Sequence, residues 1–542
     1  MVSRLTLLTA VFVLGYSVLI FNLYNLQLYN GQYYLVRAES QYAASDILTA
    51  ARGTIYFTDK NGNHLPAVSN KDFSFVYAVP KMIEDPTETA NRLADALGRP
   101  VGDLLKQLSK PNDTYELIQK KLPKDAVAKL TEARLKGVYV AIEPERFYPF
   151  GALAAHVLGF VAPNPHDPGQ SGRYGMEEYY DDRLAGTPGQ VQGNKVVAPD
   201  AGKNVVLTID PNIQIEAEHI LNDLVSKYSA SGGAFIVAEP KTGKVLAMGA
   251  NPSFDPNSYS GYEIGMFLNP ITQALYEPGS VFKVITMAAG IDAGKITPET
   301  KYFDNGQITV SGKTIKNWDL KAHGWMTMTE VIENSLNTGS SFAEAKTGDA
   351  NFRDYVTKFG FGEKTGINLP GELRGNIRAL GPHAPSIAFA AASFGQGISV
   401  TPIEMISALA ALANGGKLMR PYLNADDSPQ VIRQVVGEEA AQKVTGMMVS
   451  AVDKANVASI KGYSLAGKTG TAQVPDLKNG GYTDKVIDTY IGFGPTSDPR
   501  FIILIRLNQP SGGVHAAETV VPAFRELAQF ILNYYNIPPD RL

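Results

Sequence analysis

The chain has 542 residues, 44% hydrophobic and 19% charged, more than one ordinary core holds, so two or three folded domains are expected. A net charge of −4 offers no broad basic field and argues against nucleic acid as a partner. The absence of cysteine excludes disulfides, thiolate zinc sites and cysteine nucleophiles.

From Leu5 to Phe21 no residue is charged, and the weakly polar stretch Asn22 to Tyr29 extends the run. About 20 mostly apolar residues cross a bilayer as a helix, whereas a secretory signal has a shorter apolar region of roughly 7–15 residues and a small-residue cleavage site. No A-x-A site is evident, so residues 1–30 are expected to be a cytoplasmic tip and an uncleaved transmembrane helix. Arg4 and the free amine precede the run, which favours a cytoplasmic N-terminus, and everything after residue 30 is then expected outside the cytoplasm.

Past the anchor, Ala51 to Tyr56 reads as a strand entering a tight turn at Asp59-Lys60-Asn61-Gly62. Residues Thr87 to Leu135 read as short amphipathic helices broken by Gly98, Pro100, Pro111 and Pro123. Arg146-Phe147-Tyr148-Pro149 and Gly172 to Glu177 follow in a segment rich in glycine and proline. None of these residues forms a catalytic constellation, and residues 31–204 are expected to be a mixed, extended spacer.

The texture changes after Asn204-Val205-Val206-Leu207-Thr208-Ile209-Asp210, and residues 205–542 are expected to form one domain. A helix is predicted from Ile213 to Tyr228, with Ile215, Ile220, Leu221 and Leu224 towards one side. Ala234 to Val237 and Val245 to Met248 make a hairpin around Pro240 to Gly243. Thr489 to Phe493 and Phe501 to Leu507 are two more strands, and a final helix carries Val521, Phe524, Leu527 and Ile531. Strands at both ends and a helix-rich middle predict an α+β domain, an antiparallel sheet flanked by helices.

Three motifs in this domain carry chemistry. In Glu277-Pro278-Gly279-Ser280-Val281-Phe282-Lys283, proline and glycine stop what precedes and Ser280 is expected to start a helix. Residues three apart on a helix are neighbours, so Lys283 is expected to curl back and hydrogen-bond the Ser280 hydroxyl. A serine is a poor nucleophile until a base takes its proton, and a desolvated, neutral lysine can do this. The bland reading is a capped helix with a solvated lysine.

Further on, Thr327-Met328-Thr329-Glu330 is a capping-box pattern opening one helix, and Thr338-Gly339-Ser340-Ser341 starts another. Ser335 and Asn337 then lie at an inter-helix corner, where a hydroxyl can relay a proton and an amide can hold a substrate carbonyl. By themselves they read as ordinary capping residues.

The third motif, Lys-Thr-Gly, occurs four times, at Lys241, Lys346, Lys364 and Lys468. The first is the hairpin turn, the second closes a helix, and the third sits in a loop among Gly360, Gly362 and Pro370. Only Lys468-Thr469-Gly470 reads as strand, where Lys468 can point into a cleft and Gly470 lets a substrate backbone come close.

In this order the three patterns resemble the signature of penicillin-binding proteins and serine β-lactamases. The resemblance covers nearly the whole chain. Arg52-Gly53-Thr54-Ile55, Arg146-Phe147-Tyr148-Pro149, Gly175-Met176-Glu177 and Leu184 to Gly189 resemble the non-catalytic, dimerisation-type pedestal of class B penicillin-binding proteins. Leu207 to Asp210, Asn251 to Asn257 and Ala466 to Ala472 resemble their transpeptidase domain, and Ser393 to Pro402 is more similar to the division (FtsI-like) branch than to the elongation branch. One departure is that Tyr56-Phe57-Thr58 separate Ile55 from Asp59, where the family's commonest form has one residue.

The resemblance implies peptidoglycan D,D-transpeptidation in septal wall synthesis, with stem peptides as substrate and acylation by β-lactams. Ser280 would be the nucleophile, Lys283 its base, Ser335 a proton relay to the leaving amine, and Asn337 an orienter of the peptide. Lys468 would polarise the site and help bind a carboxylate, with Thr469, Gly470 and Thr471 on the substrate. The N–H groups of Ser280 and Thr471 would form the oxyanion hole. No metal or organic cofactor is implied, and the seven histidines form no ligand pattern. The pedestal is too short to include a glycosyltransferase, so a SEDS-family polymerase and divisome membrane proteins are the partners expected, at a bacterial plasma membrane.

Elongation-type transpeptidation is the first alternative. A β-lactamase or carboxypeptidase would keep the fold and use water as acceptor, but an anchored β-lactamase has no need of the spacer between Leu28 and Leu207. A β-lactam-sensing receptor would need a cytoplasmic module that the few residues before the apolar run do not form, and the intact Ser280–Lys283 pair argues against an idle scaffold.

Overall fold

The computed structural model describes residues 12–17, 19–20, 50–110, 112–163, 170–192, 195–476, 478, 480–513 and 515–541. The expected membrane span falls for the most part outside them; residues 12–17 and 19–20 are helical and exposed. Among the described residues no helix is long and apolar enough to cross a membrane. The chain divides into two units, residues 1–53 with 182–203, and residues 54–181 with 204–542. In the first, strands Gln190–Gln192 and Lys195–Val197 pair antiparallel. Gly53 N–H donates to Leu184 O, and Gly202 N–H to Ala51 O, at 2.8 Å each.

The second unit begins with β1 (Ile55–Thr58) and β2 (His64–Ala78), joined by the turn read from the sequence. The Asp59 carboxylate accepts the N–H groups of Asn61 and Asn63 at 2.8 Å, and Gly62 supplies the left-handed residue, φ +81°. The β1–β2 register shifts between Ile55 and Tyr56, inside the stretch where the sequence departs from the family's commonest form. The long β2 pairs on with β3 (Glu116–Gln119) and β4 (Val138–Phe147).

Helices α1 (Pro86–Leu97), α2 (Val101–Leu108) and α3 (Lys124–Ala133) pack on this ribbon through Leu93, Leu104, Leu108 and Leu130. The boundaries follow the breakers: the Asp85 carboxylate caps α1, Pro86 opens it, and Gly98 closes it at φ +67°. The strand β3 was not expected. It lies between helices in a segment whose helical breakers alone are visible in the sequence, and only pairing with β2 makes it extended.

From residue 204 the same unit continues with α4 (Pro211–Lys227), β5 (Gly232–Ala238) and β6 (Val245–Asn251). Then come α5 (Lys283–Asp292), α6 (Met328–Asn334), α7 (Asn337–Thr347), α8 (Pro402–Ala413) and α9 (Glu438–Ala455). The chain closes with β7 (Ala466–Pro475), β8 (Tyr482–Gly494), β9 (Phe501–Asn508) and α10 (Val520–Tyr534). The five strands form one antiparallel sheet in the order β6-β5-β9-β8-β7, so β7 is a terminal strand.

One face of the sheet is covered by α4 and α10, whose Ile213, Leu221, Leu224, Phe524, Leu527 and Ile531 meet Phe235, Ile503 and Ile505. Ile215 does not join them: it is 49% exposed, because helical spacing rotates it off the stripe that the sheet buries. The other helices include α8, buried over its whole length from Pro402 to Ala413, a central core helix. The architecture is the α+β arrangement that the alternation of strands and helices predicts.

Candidate active site

Ser280 lies in a short 3-10 turn, Gly279–Phe282, and the α-helix proper begins only at Lys283. The turn is fixed by close backbone contacts. Gly279 N–H donates to Gly395 O at 3.1 Å, and Gly279 has φ +59°. A Cβ on Gly395 would lie 2.2 Å from Gly279 O, and one on Gly470 would lie 3.0 Å from Pro278 O and 3.3 Å from Val281 N. The segment Gly395 thus backs the turn, and β7 lies against its other side. Thr286 Oγ1, one turn along α5, donates to Ser393 O at 2.7 Å, and Ser340 Oγ on α7 donates to the same oxygen at 2.6 Å.

The second motif forms the corner between α6 and α7. Thr327 and Glu330 complete the capping box at the start of α6, and Ser335 ends that helix in the left-handed region, φ +56°. A serine held there is strained by about 1 kcal/mol, and both its oxygens are engaged by one side chain. Lys283 Nζ donates to Ser335 O at 2.5 Å and to Ser335 Oγ at 3.2 Å. Asn337 Nδ2 donates to Lys316 O at 2.9 Å, which leaves its second N–H and its Oδ1 for other partners.

Among the four Lys-Thr-Gly triplets only Lys468 lies in a strand of the sheet, β7. Lys468 Nζ donates to Ser335 Oγ at 3.0 Å, to Thr469 O at 3.0 Å and to Thr469 Oγ1 at 3.3 Å. Thr471 Oγ1 donates to the buried Asp488 carboxylate on β8 at 2.9 Å. A Cβ on Gly279 would meet Thr471 O at 3.4 Å, so the backbone segments carrying the Ser280 and Thr471 N–H groups are in contact.

The expected hydrogen bond between Lys283 and the Ser280 hydroxyl is absent among the described residues; the lysine reaches the corner instead. The 3-10 turn, tighter than an α-helix, makes the first three-residue step, and Ser335 offers two acceptors. This arrangement suits a base. A neutral amine has two N–H groups and one lone pair; the two bonds to Ser335 use both N–H groups and leave the lone pair to accept a proton. Lys283 is fully buried, and burial holds its amine well below the usual lysine range, helped by the nearby Lys468 charge. Burial likewise brings Lys468 down to about 7.

Ser335 Oγ accepts from both lysines, which occupies its two lone pairs and leaves its own proton to donate. The site therefore contains a hydroxyl on a rigid turn, a depressed amine, a second hydroxyl able to pass a proton, and a second cation. That set has the groups that acyl transfer to and from a serine requires. Among the described residues no group of acidic, histidine or cysteine side chains is placed to hold a metal.

Residues 233–527 match the penicillin binding protein transpeptidase domain, and residues 47–210 match the penicillin-binding protein dimerisation domain. The chain is a class B penicillin-binding protein. It is similar to stage V sporulation protein D of Bacillus subtilis, 33% identical over 85% of this chain and 75% of that one. The peptidoglycan D,D-transpeptidase FtsI of Escherichia coli is 28% identical over 91% of this chain and 85% of its own. Penicillin binding protein 3 of Mycobacterium tuberculosis, solved in complex with aztreonam, superposes with a TM-score of 0.70 at 26% identity, covering 91% of this chain and 97% of that one.

Around the motifs of this penicillin-binding protein lie residues that the sequence did not single out. Glu277 ties the Gly397 segment and the start of β8 to the turn, its Oε1 accepting from Gly397 N–H at 3.1 Å and its Oε2 from Tyr482 Oη at 3.0 Å. Trp318 donates from Nε1 to Asn334 O at 3.0 Å and stands edge to face with His515, ring centres 6.2 Å apart. The Ala516 N–H beside that histidine donates to Thr471 Oγ1 at 3.4 Å, so the indole links the corner of Ser335 to the loop beside β7. Trp318 and His515 become neighbours of the site only through the fold, and Glu277, although it stands three residues before Ser280, gains its role from partners more than a hundred residues away.

Proposed function

We propose that this chain is a serine-type peptidoglycan D,D-transpeptidase in which Ser280 attacks the carbonyl of a stem peptide's penultimate D-alanine. Its proton passes to neutral Lys283, the N–H groups of Ser280 and Thr471 hold the developing oxyanion, and Ser335 gives its proton to the departing amine of the terminal D-alanine while taking one from Lys283, which is neutral again. The acyl group on Ser280 is then taken by the amine of a second stem peptide. Lys468 supports the relay and, with Thr469, Gly470 and Thr471, receives the donor peptide; Asn337 orients it. The observation that carries this reading is that both lysine amines hydrogen-bond Ser335 Oγ, at 3.2 and 3.0 Å. A β-lactam, which mimics the donor peptide, should acylate the same serine.

The experiment is covalent labelling by a fluorescent penicillin. The parent protein should be labelled and should hydrolyse the adduct slowly, and Ser280→Ala should not be labelled. Rapid turnover of the adduct would assign a β-lactamase instead.

The uncharged run from Leu5 to Phe21 supports a single N-terminal membrane anchor with the bulk of the chain outside the cytoplasm. The FtsI-like stretch Ser393 to Pro402 favours septal over elongation synthesis, with a SEDS-family polymerase and divisome proteins as partners. Depletion that blocks septation while cells keep lengthening supports the septal role; loss of lengthening assigns elongation.

A further inference from the structure

The corner that carries Ser335 and Asn337 is stitched to residues 316–318 by three bonds, and Thr338 Oγ1 also lies 3.0 Å from Asn317 Oδ1. Asn337 Nδ2 donates to Lys316 O at 2.9 Å, Thr338 N–H to Asn317 Oδ1 at 3.2 Å, and Trp318 Nε1 to Asn334 O at 3.0 Å. Behind this seam lies Asp304, at the end of the strand Lys301–Asp304 and 1% exposed. Its Oδ1 accepts from Gly306 N–H at 2.9 Å and from Thr338 Oγ1 at 2.8 Å. Its Oδ2 accepts from Asn317 Nδ2 at 2.8 Å and from His323 N–H at 3.1 Å.

A buried carboxylate is costly unless a cation or several donors compensate it. Among the described residues no lysine, arginine or histidine side chain forms an ion pair with Asp304, so the four donors compensate it. Two of them flank the ends of one further bond: Thr338 follows Asn337, and Asn317 follows Lys316. One carboxylate therefore fixes both sides of the Asn337–Lys316 contact.

We propose that Asp304 is a positioning residue for the reaction, setting the corner of Ser335 and Asn337 at its distance from Lys283 and Lys468. It touches no substrate and acts through Thr338 and Asn317. An asparagine has the same shape but one acceptor oxygen fewer. Whichever way its amide turns, its NH2 meets a backbone N–H, that of Gly306 or that of His323, and the seam must shift.

The proposal rests on the site assignment above, so the test begins with the parent and Ser280→Ala; labelling of the latter would refute the site assignment itself. The second-order rate of acylation by a fluorescent penicillin is then measured for full-length parent, Asp304→Asn, Asn337→Ala and the double variant. Asp304→Asn should slow acylation about tenfold or more in the parent and less than about twofold in Asn337→Ala, since misplacing a group by 1 Å can cost as much as a hundredfold and residues acting through one another are not additive. Equal factors in both backgrounds, or an unchanged rate, overturn the proposal. Should Asp304→Asn not fold, Thr338→Val removes one donor and is held to the same comparison: a several-fold loss in the parent that disappears beside Asn337→Ala supports the proposal, and equal losses refute it.

Discussion

Lys283 and Lys468 end on one oxygen: their amines hydrogen-bond Ser335 Oγ at 3.2 and 3.0 Å. One begins a buried helix and the other lies in a terminal strand, and the serine between them belongs to neither. Both amines are buried, so each titrates in an environment that penalises its charge.

Ser335→Ala removes the shared acceptor and the proposed relay while leaving the Lys283 bond to the carbonyl of residue 335. Acylation by a fluorescent penicillin should fall about 100-fold, the usual scale for a lost proton-transfer group. Rapid-quench labelling against time measures it, and a rate within twofold of the parent would sink the relay role.

The pH dependence follows from the charges. Neutral Lys283 is the active form, so acylation should rise as pH increases through its depressed pKa. A positive charge on Lys468 disfavours a second one on Lys283, so its removal raises the Lys283 pKa. In Lys468→Met the acid limb of the rate profile should therefore move to higher pH. It should remain below the ordinary lysine range, because burial is the larger cause of the depression. A limb that stays put or moves to lower pH would contradict this account.

Gly395→Ala should damage the turn from behind. The residue has φ +81°, and the added carbon would sit 2.2 Å from Gly279 O and 2.6 Å from Gly279 N, so backbone must give way. A loss of about 2 kcal/mol or more is expected for an alanine forced into this conformation against backbone. Slowed acylation and a lower Tm should appear together; an unchanged Tm would show that the segment yields freely.

Away from the site, Arg146 and Glu177 form a buried pair, Nε to Oε1 at 2.6 Å. Glu177→Ala leaves an uncompensated buried guanidinium, at a cost of about 3–5 kcal/mol. Urea unfolding followed by limited proteolysis should locate the loss around β4, with the acylation rate of the remaining folded protein close to that of the parent. Unchanged resistance to urea would show that Asn70, which accepts from Arg146 Nη1 at 3.1 Å, is a sufficient partner.

The sequence carried the main lines of the sheet because hairpin turns, glycine stops and helix caps act locally. The choice of Lys468 among four identical triplets rested on strand context alone. What escaped was anything decided by long-range closure. The reach of Lys283 to Ser335 depends on a 3-10 turn and on a corner fifty-two residues on. Asp304 is a polar residue before an Asn-Gly turn, a pattern that reads as an ordinary loop until four donors converge on it. Ile215 was misplaced because periodicity gives a stripe but not the rotation at which the sheet meets it.

The Ser280 turn is seated between two glycines, Gly395 and Gly470, so its neighbours on both sides are largely peptide atoms rather than side chains. Rotamer changes have little purchase on such a contact. Substitutions that make the serine distinguish one acylating compound from another should therefore accumulate elsewhere, on the rim where side chains are free to vary. Trp318, 63% exposed beside the corner, and its neighbour His515 are the places to expect them.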